Sequence, residues 1–243
     1  MAVKIGHAVV DENGKSIGGR AGDQTGKELR IDRWYFRPWN VLLICKDKEL
    51  AKKASEYMQQ ICEDSGYGYD QGDRVTGYNA IMKNGGKVKG AVGEFDCSSL
   101  VSACYKLAGL DVSVSNTTRT MKNAFSKTGL FEVYTDNAHL NTDSYARVGA
   151  IYLREGNHVI MALENGVTRL NPYPEPAGSI KKGLSGNGVK WLQYELAEAG
   201  YNVKIDGVFG PKTEDALKDF QKVCRIAIDG VAGPVTKKQL KLN

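Results

Sequence analysis

The distribution of apolar and polar positions divides residues 1–172 into helices followed by a sheet. Apolar residues recur at helical spacing over 48–62, 97–108 and 117–127, and apolar runs typical of buried strands occupy 41–45, 129–134, 148–153 and 158–163. The dipeptide Asn165-Gly166 is a strong hairpin signal, which predicts a return strand over 167–170. Helices that precede an antiparallel sheet are typical of the α+β class.

The C-terminal region contains an internal repeat. The stretch from Asp206 to Thr213, Asp-Gly-Val-Phe-Gly-Pro-Lys-Thr, is matched by Asp-Gly-Val-Ala-Gly-Pro-Val-Thr from Asp229 to Thr236. Proline after glycine is a helix-start signal, and one further amphipathic segment precedes the repeats, so we expect a small three-helix bundle. A Pro/Gly/Ser-rich stretch over 173–179 predicts a linker between domains at 1–172 and 180–243.

Composition and charge exclude several classes of protein. The hydrophobic fraction of 42% and the charged fraction of 25% are ordinary for a globular protein. No apolar run is long enough for a signal peptide or a membrane span, so we expect no membrane insertion. Residues 178–243 hold 11 Lys and Arg against 7 Asp and Glu, which favours an anionic partner. No nucleic-acid motif is present, and we expect no nucleic-acid partner.

The five cysteines are scattered and include no C-x-x-C pair. This spacing argues against a disulfide framework and against a zinc site, so we expect no metal and no cofactor.

One cysteine, Cys97, lies in the first turn of a predicted helix. Asp96 suits the N-cap and Gly109 the residue just past the C-terminus. Free N–H groups and the positive end of the helix dipole stabilise an anion there, so we expect a lowered thiol pKa and a nucleophilic Cys97. The alternative is that Cys97 is a small core residue, as we expect for Cys104.

A cysteine nucleophile needs a base and a group that orients the base. Among three histidines, His158 opens an apolar strand directly after a strand and turn, which predicts the base. The predicted hairpin brings Asn171 back toward His158, so Asn171 is the expected orienting group, with Glu164 as its competitor. The alternatives are a structural histidine and a turn residue before Pro172.

These motifs resemble those of NlpC-type cell-wall cysteine peptidases, which are papain-like enzymes related to phage amidases. The resemblance rests on Phe-Asp-Cys-Ser-Ser-Leu-Val at 95–101, on Gly-Ala-Ile-Tyr-Leu at 149–153, and on the histidine of the next strand. The stretches at 22–28, 34–35 and 68–71 look like the leading half of phage endolysins. The repeated C-terminal motif resembles that of peptidoglycan-binding domains.

The resemblance implies a papain-like catalytic domain that cleaves an amide bond of the peptidoglycan stem peptide. It implies a γ-D-glutamyl–diamino-acid endopeptidase first and an N-acetylmuramoyl-L-alanine amidase second. A wall-binding protein with an inactive domain and a transglutaminase-like acyl transferase are the rivals. It further implies synthesis in the host cytoplasm without a signal peptide, and action on the wall after release. Oligomeric state and host remain open.

The resemblance also assigns residues beside Cys97, His158 and Asn171. Tyr69, Asp96 and Ser98 are expected on the oxyanion and substrate side, with Tyr78 as the alternative tyrosine. The residues expected to bind the wall are Asp206, Gly207, Phe209, Gly210, Thr213, Asp229, Gly230, Gly233 and Thr236.

Overall fold

The computed structural model describes residues 2–22, 28–167 and 171–241, which form a mixed α/β protein. The strands in this part of the chain are β1 (Lys4–Ala8), β2 (Leu29–Arg33), β3 (Val41–Cys45), β4 (Tyr67–Tyr69), β5 (Gly93–Phe95), β6 (Phe131–Tyr134), β7 (Ile151–Arg154) and β8 (His158–Ala162). The helices are α1 (Lys48–Glu63), α2 (Thr76–Lys83), α3 (Cys97–Ala108), α4 (Met121–Lys127), α5 (Asn137–Leu140), α6 (Asn187–Glu198), α7 (Pro211–Cys224) and α8 (Pro234–Leu240). None of these helices has the length and apolarity needed to cross a membrane.

Six strands form one antiparallel sheet in the order β2-β1-β8-β7-β3-β6. The hairpin of β7 and β8 places Arg154 opposite His158. The N-terminal strand β1 pairs with the other edge of β8 and, on its own far side, with β2, where His7 lies opposite Arg30. This order brings His7 and His158 onto neighbouring strands, although they are far apart in the sequence.

The helices α1 and α3 cover one face of this sheet. Apolar side chains from both helices and from alternate strand positions form the main core, among them Leu43, Ala54, Met58, Leu100, Cys104, Val159 and Met161. Each large apolar side chain buried in this way contributes about 1.5–3 kcal/mol. Cys104 is fully buried, as predicted. The packing fixes the start of α3 against the start of β8.

The opposite face is covered by residues 34–40, which join β2 to β3. Trp34 and Trp39 pack there with Tyr152. The Trp39 ring also lies against the His158 imidazole, with 6.3 Å between the ring centroids and 27° between the planes. The His158 ring, at the first residue of β8, therefore packs against Trp39 on the face of the sheet opposite α3.

A separate two-stranded parallel sheet joins β4 to β5 and places Tyr69 beside Phe95, two residues before Cys97. The close packing of α2 on β5 requires glycine, since a Cβ on Gly93 would lie 2.5 Å from the Cα of Gly77. This sheet therefore brings Tyr69 close to the start of α3.

The helices α6, α7 and α8 form a C-terminal bundle around a second core that includes Leu192, Leu196, Leu217, Phe220 and Leu240. Pro211 and Pro234 each occupy the start of a helix, as the repeat predicts. Gly207 and Gly230 have φ values of 78° and 68°, a left-handed conformation that favours glycine. The helical bundle predicted for this region is confirmed.

The C-terminal bundle packs on the sheet domain, by which we mean β1–β8 with α1–α5. The N–H of Phe36 donates to the carbonyl of Ala199 at 3.0 Å, and the Phe36 ring lies 5.5 Å from that of Phe220. In the predicted linker, Tyr173 packs against the bundle core and the carbonyl of Pro176 accepts from Lys237. Residues 173–179 are thus attached to the bundle, and the domain boundaries themselves stay a prediction.

Two other details differ from the expected elements. The helix predicted over 117–127 begins only at Met121, because the Thr120 hydroxyl accepts the Thr117 N–H at 2.9 Å and holds a turn there. Asp136 caps the short helix α5, which the apolar pattern does not indicate. Residues 168–170 of the predicted return strand lie outside the described residues.

Candidate active site

Cys97 is the first residue of α3, as predicted, and a reciprocal capping box fixes its position. The Asp96 carboxylate accepts the Ser99 N–H at 2.6 Å, while the Ser99 hydroxyl accepts the Asp96 N–H at 2.9 Å. The free N–H groups of the first turn are thus partly satisfied before any ligand binds. Cys97 itself is 7% exposed.

Asp96 and Ser98 both form hydrogen bonds that hold the start of α3. Arg74 Nε lies 2.9 Å from the Asp96 carboxylate, and a guanidinium N–H of Arg74 donates to the Ser98 hydroxyl at 3.0 Å. The Ser98 hydroxyl in turn donates to Asp96 at 3.0 Å. These contacts give the two side chains a role in positioning the helix start, and their expected contact with substrate stays a prediction. Sequence reasoning missed Arg74, which no local motif marks.

A cavity of about 540 Å³ opens at Cys97. The residues that line it include Cys97, His158, His7, Tyr69, Tyr35 and Arg37. The structure therefore brings together three residues that the sequence assigned to one site, Cys97, His158 and Tyr69, and adds His7. A cavity of this size can admit a peptide segment.

His158 is the first residue of β8 and is 7% exposed. The backbone N–H of the next residue, Val159, hydrogen-bonds the sulfur of Cys97. The starts of α3 and β8 are thus joined at the thiol, and Cys97 and His158 both line the cavity.

A chain of hydrogen bonds joins His158 to His7 and Asp32. His7 Nδ1 lies 3.2 Å from His158 Nε2, and His7 Nε2 lies 2.9 Å from an oxygen of Asp32. Arg30 Nε lies 2.7 Å from the same carboxylate oxygen. His7 is 2% exposed, whereas Asp32 reaches the surface. His7 and Asp32 therefore occupy the position beside His158 that was predicted for Asn171.

The prediction that Asn171 orients His158 is wrong. The Asn171 amide donates to the carbonyl of Trp191 at 3.1 Å and to Glu195 at 2.8 Å, both in the C-terminal bundle. The physical reason is that β1 already occupies the edge of β8 where a return strand would pair. The competitor, Glu164, is 42% exposed and accepts from the Lys4 N–H.

Burial controls the protonation states of the pair. It raises the pKa of the Cys97 thiol to about 12, with a smaller contribution from the Asp96 carboxylate. The expected lowering of this pKa by the helix N-terminus is therefore wrong for the resting protein. Burial, reinforced by His7 and Arg37, lowers the pKa of His158 to about 3. Burial also lowers the pKa of His7, against the opposing effect of Asp32. At neutral pH the thiol is protonated and both imidazoles are neutral.

Of the two candidate tyrosines, Tyr69 lines the cavity. Its hydroxyl accepts from the Gln71 amide at 3.0 Å, and its N–H donates to the buried Glu28 carboxylate at 2.9 Å. Burial raises the pKa of Tyr69 to about 12, so the hydroxyl stays a donor at neutral pH. Tyr78 packs instead against the main apolar core.

In the C-terminal bundle, most of the repeated residues build the turns. The Gln193 amide donates to Asp206 at 2.9 Å and to Thr213 at 3.2 Å, and its oxygen accepts the Gly207 N–H at 2.8 Å. Gln221 makes the corresponding contacts with Asp229, Thr236 and Gly230 in the second turn. Both threonines and Phe209 are buried, and Gly210 and Gly233 are helix caps. Among the residues expected to bind the wall, only Asp206 and Asp229 are exposed, and their contact with a wall stays a prediction.

Two family models match the chain. The endolysin-like domain matches residues 5–169, which include the cavity and its four principal side chains. The putative peptidoglycan binding domain matches residues 185–240, the region of the C-terminal bundle. No curated protein was found to match.

Three solved structures share segments with this chain. The SleB N-terminal domain is 41% identical over 28% of this chain and 93% of its own, with a TM-score of 0.27. A Burkholderia AP3 phage endolysin is 36% identical over 26% of this chain and 24% of its own, with a TM-score of 0.26. A peptidoglycan-binding protein from Clostridioides difficile, in complex with glutamine hydroxamate, is 33% identical over 38% of this chain and 57% of its own, with a TM-score of 0.26.

The chain thus spans about a quarter of the phage endolysin and little more than half of the C. difficile protein. With TM-scores this low, the three alignments do not establish the overall fold. The family matches do cover most of the chain, and together they support a protein that acts on peptidoglycan. Because one of those models alone matches more than half of its length, the chain belongs to the endolysin-like domain family.

Proposed function

We propose that this protein is a peptidoglycan hydrolase in which Cys97 attacks an amide bond of the stem peptide. One observation carries the proposal: Cys97 and His158 line one cavity, and the ring of His158 is held by His7 and Asp32. A nucleophile, a base and an orienting group are the parts that cysteine catalysis requires.

The hydrogen-bonded chain determines which nitrogen of His158 is basic. A carboxylate only accepts, so His7 Nε2 must donate its proton to Asp32. Neutral His7 then has a bare Nδ1, which accepts from the Nε2–H of His158. This tautomer leaves the lone pair of His158 on Nδ1, where it can take a proton from the thiol.

The proposed reaction starts from the neutral thiol and the neutral imidazole. On substrate binding, His158 takes the thiol proton as the sulfur bonds to the carbonyl carbon, and the carbonyl oxygen becomes an oxyanion. The Cys97 N–H and the Tyr69 hydroxyl are the donors we assign to that oxyanion. When the C–N bond breaks, His158 returns the proton to the leaving amine. Water, activated by the same imidazole, then hydrolyses the thioester and restores the thiol.

We assign this site to the papain-like, NlpC-type group. The support is a cysteine at a helix start and a histidine at the start of an adjacent antiparallel strand. The orienting histidine precedes the cysteine in the chain instead of following the base, because β1 is added at the edge of β8. The same spatial arrangement of catalytic groups recurs in different chain orders among hydrolases.

The bond that we propose is the γ-D-glutamyl–diamino-acid bond, with the N-acetylmuramoyl-L-alanine bond as the alternative. Digestion of purified peptidoglycan, followed by labelling of new amines and mass spectrometry, distinguishes the two. A new free amine on the diamino acid is the expected result, whereas a new free L-alanine amine would identify an amidase. Absence of any new amine would contradict hydrolysis of the stem peptide.

A further inference from the structure

A second cleft, of about 480 Å³, lies between the sheet domain and the C-terminal bundle. Its walls come from both parts of the chain. Trp39, Asn141 and Arg154 line it from the sheet domain, and Val223 and Arg225 line it from the end of α7. Any ligand in this cleft therefore contacts both parts of the molecule.

The cleft gathers positive charge. Arg154 and Arg225 both line it, and Arg37 lies close to Arg154. Burial, together with these two neighbouring guanidinium groups, lowers the pKa of Arg154. Among the described residues no carboxylate forms an ion pair with any of the three. Glu155 also lines the cleft, and its carboxylate accepts from the Asn40 amide at 3.3 Å. Like charges held together without a partner are costly unless an anion binds between them.

The backbone at Arg225 gives independent support. Arg225 has φ 56°, and in the described part of the chain it is the one non-glycine residue with a positive φ. The preceding helix α6 reaches the same left-handed conformation with Gly200, at φ 90°. Glycine adopts this conformation at little cost, so an arginine here indicates a use for the side chain.

The arginines also connect the cleft to the candidate active site. Arg154 lies directly opposite His158 in the β7–β8 hairpin. Arg37 lines the cavity at Cys97 and is close enough to lower the pKa of His158. A row of three cations thus runs from the catalytic cavity to the end of α7.

We propose that this cleft is a binding site for a carboxylate of the peptidoglycan strand, so that one strand contacts both domains during cleavage. Guanidinium groups form bidentate hydrogen bonds with carboxylates. The amides of Asn137 and Asn141 beside them suit the hydroxyl and acetamido groups of the sugars. The inference rests on the proposed function in taking peptidoglycan as the ligand.

The test measures binding to the full chain carrying Cys97→Ala, which leaves the ligand uncut. The probe is a disaccharide tetrapeptide released by a muramidase, compared by calorimetry with the same compound after amidation of its carboxyl groups. Arg154→Gln and Arg225→Gln should each weaken binding of the native probe about tenfold and hardly change that of the amidated probe. Lys222→Gln, an equal loss of charge in the last turn of the same helix α7, should change binding less than twofold.

Arg225→Gly separates loss of the guanidinium from a folding defect, because glycine adopts the left-handed conformation at this position without strain. It should weaken binding as Arg225→Gln does. Equal affinity for the native and amidated probes, or equal effects of the arginine and Lys222 variants, would overturn the proposal. So would an arginine dependence seen only with walls that retain phosphate polymers. Hydrolysis by the wild-type protein is measured separately, so a failed hydrolase proposal and a failed cleft proposal give different results.

Discussion

Asp32 lies at the surface end of the hydrogen-bonded chain that reaches His158 through His7. Its carboxylate can only accept, and this property propagates through His7 to the ring of His158. In the proposed mechanism, a single oxygen of Asp32 therefore determines whether the base is available to the thiol.

Asp32→Asn should reverse this chain of donors. The new amide donates to His7 Nε2, His7 donates from Nδ1 to His158 Nε2, and the remaining proton of His158 moves to Nδ1. We expect the rate of amine release to fall about 10²- to 10⁴-fold with little change in fold, as the wrong tautomer does in a serine-protease triad. The control is Asp136→Asn, which alters an exposed pair with His139 joined at 2.8 Å.

Nitrogen NMR of the imidazoles gives the readout that a merely structural role would not change. The His158 proton should move from Nε2 to Nδ1 in Asp32→Asn and stay in place in Asp136→Asn. Full activity of Asp32→Asn with an unchanged tautomer would contradict this role.

The buried imidazoles should also make the protein sensitive to acid. The pKa of His158 is about 3 in the fold and 6.5 as its ordinary value, so between these values the unfolded chain binds the extra proton. The free energy of unfolding should therefore fall as pH drops from 6.5 toward 3, by about 1.4 kcal/mol per pH unit for one histidine.

Urea unfolding at pH 6.5, 5.5 and 4.5 measures this slope. His158→Gln should flatten it by about 1.4 kcal/mol per unit, while His139→Gln, outside the cavity, should leave it unchanged. Identical slopes for all three proteins would show that His158 is not buried in its neutral form.

Local sequence signals single out Cys97 and His158 as candidates because each lies at the start of an element that its own neighbours specify. His7 and Arg74 lack such signals. Their roles depend on the pairing of β1 with β8 and on the packing of α2 against β5, which are long-range contacts. The pKa of Cys97 was mispredicted for a similar reason, since burial outweighs the helix terminus.

At the scale of elements, the addition of β1 to β8 explains why the predicted return strand has no partner there. A hairpin signal such as Asn165-Gly166 predicts a reversal of the chain, yet it does not specify which strand fills the next edge of the sheet. The order of helices and strands was predictable, whereas the neighbour of β8 was not.

The two turns of the C-terminal bundle each depend on one buried amide. Gln221→Ala should leave the Asp229 carboxylate, the Thr236 hydroxyl and the Gly230 N–H without this partner. We expect the bundle to lose about 2–4 kcal/mol of stability, since each lost buried hydrogen bond costs about 1 kcal/mol or more.

Calorimetry of the full chain measures this loss, with the exposed Gln59→Ala on α1 as the control. A change below about 0.5 kcal/mol, the usual effect of a surface substitution, would contradict the structural role of the repeat. The repeat itself is visible in the sequence. Gln193 and Gln221 lie outside its motif, so their contacts with the turns could not be predicted from it.

At the scale of the whole molecule, Phe36 joins the two parts of the chain. It lies half-buried against Phe220 in the core of the C-terminal bundle. Phe36→Ser should weaken this contact, so that the bundle and the sheet domain unfold in two separate thermal transitions. Val208→Ser, at an exposed apolar residue of the bundle, should leave the wild-type profile unchanged. A profile for Phe36→Ser that matches the wild type would show that the interface does not couple the domains.

The central claim is that the thiol of Cys97 performs the hydrolysis of peptidoglycan. The most direct measurement is the rate of amine release from purified peptidoglycan by the wild type, Cys97→Ala and Cys104→Ala, with folding verified by circular dichroism. We predict a loss of at least about a thousandfold for Cys97→Ala, because the nucleophile and base act as one unit. Cys104→Ala, which alters only a buried core residue, should stay within about threefold of the wild type. Near-normal amine release by folded Cys97→Ala would contradict the account.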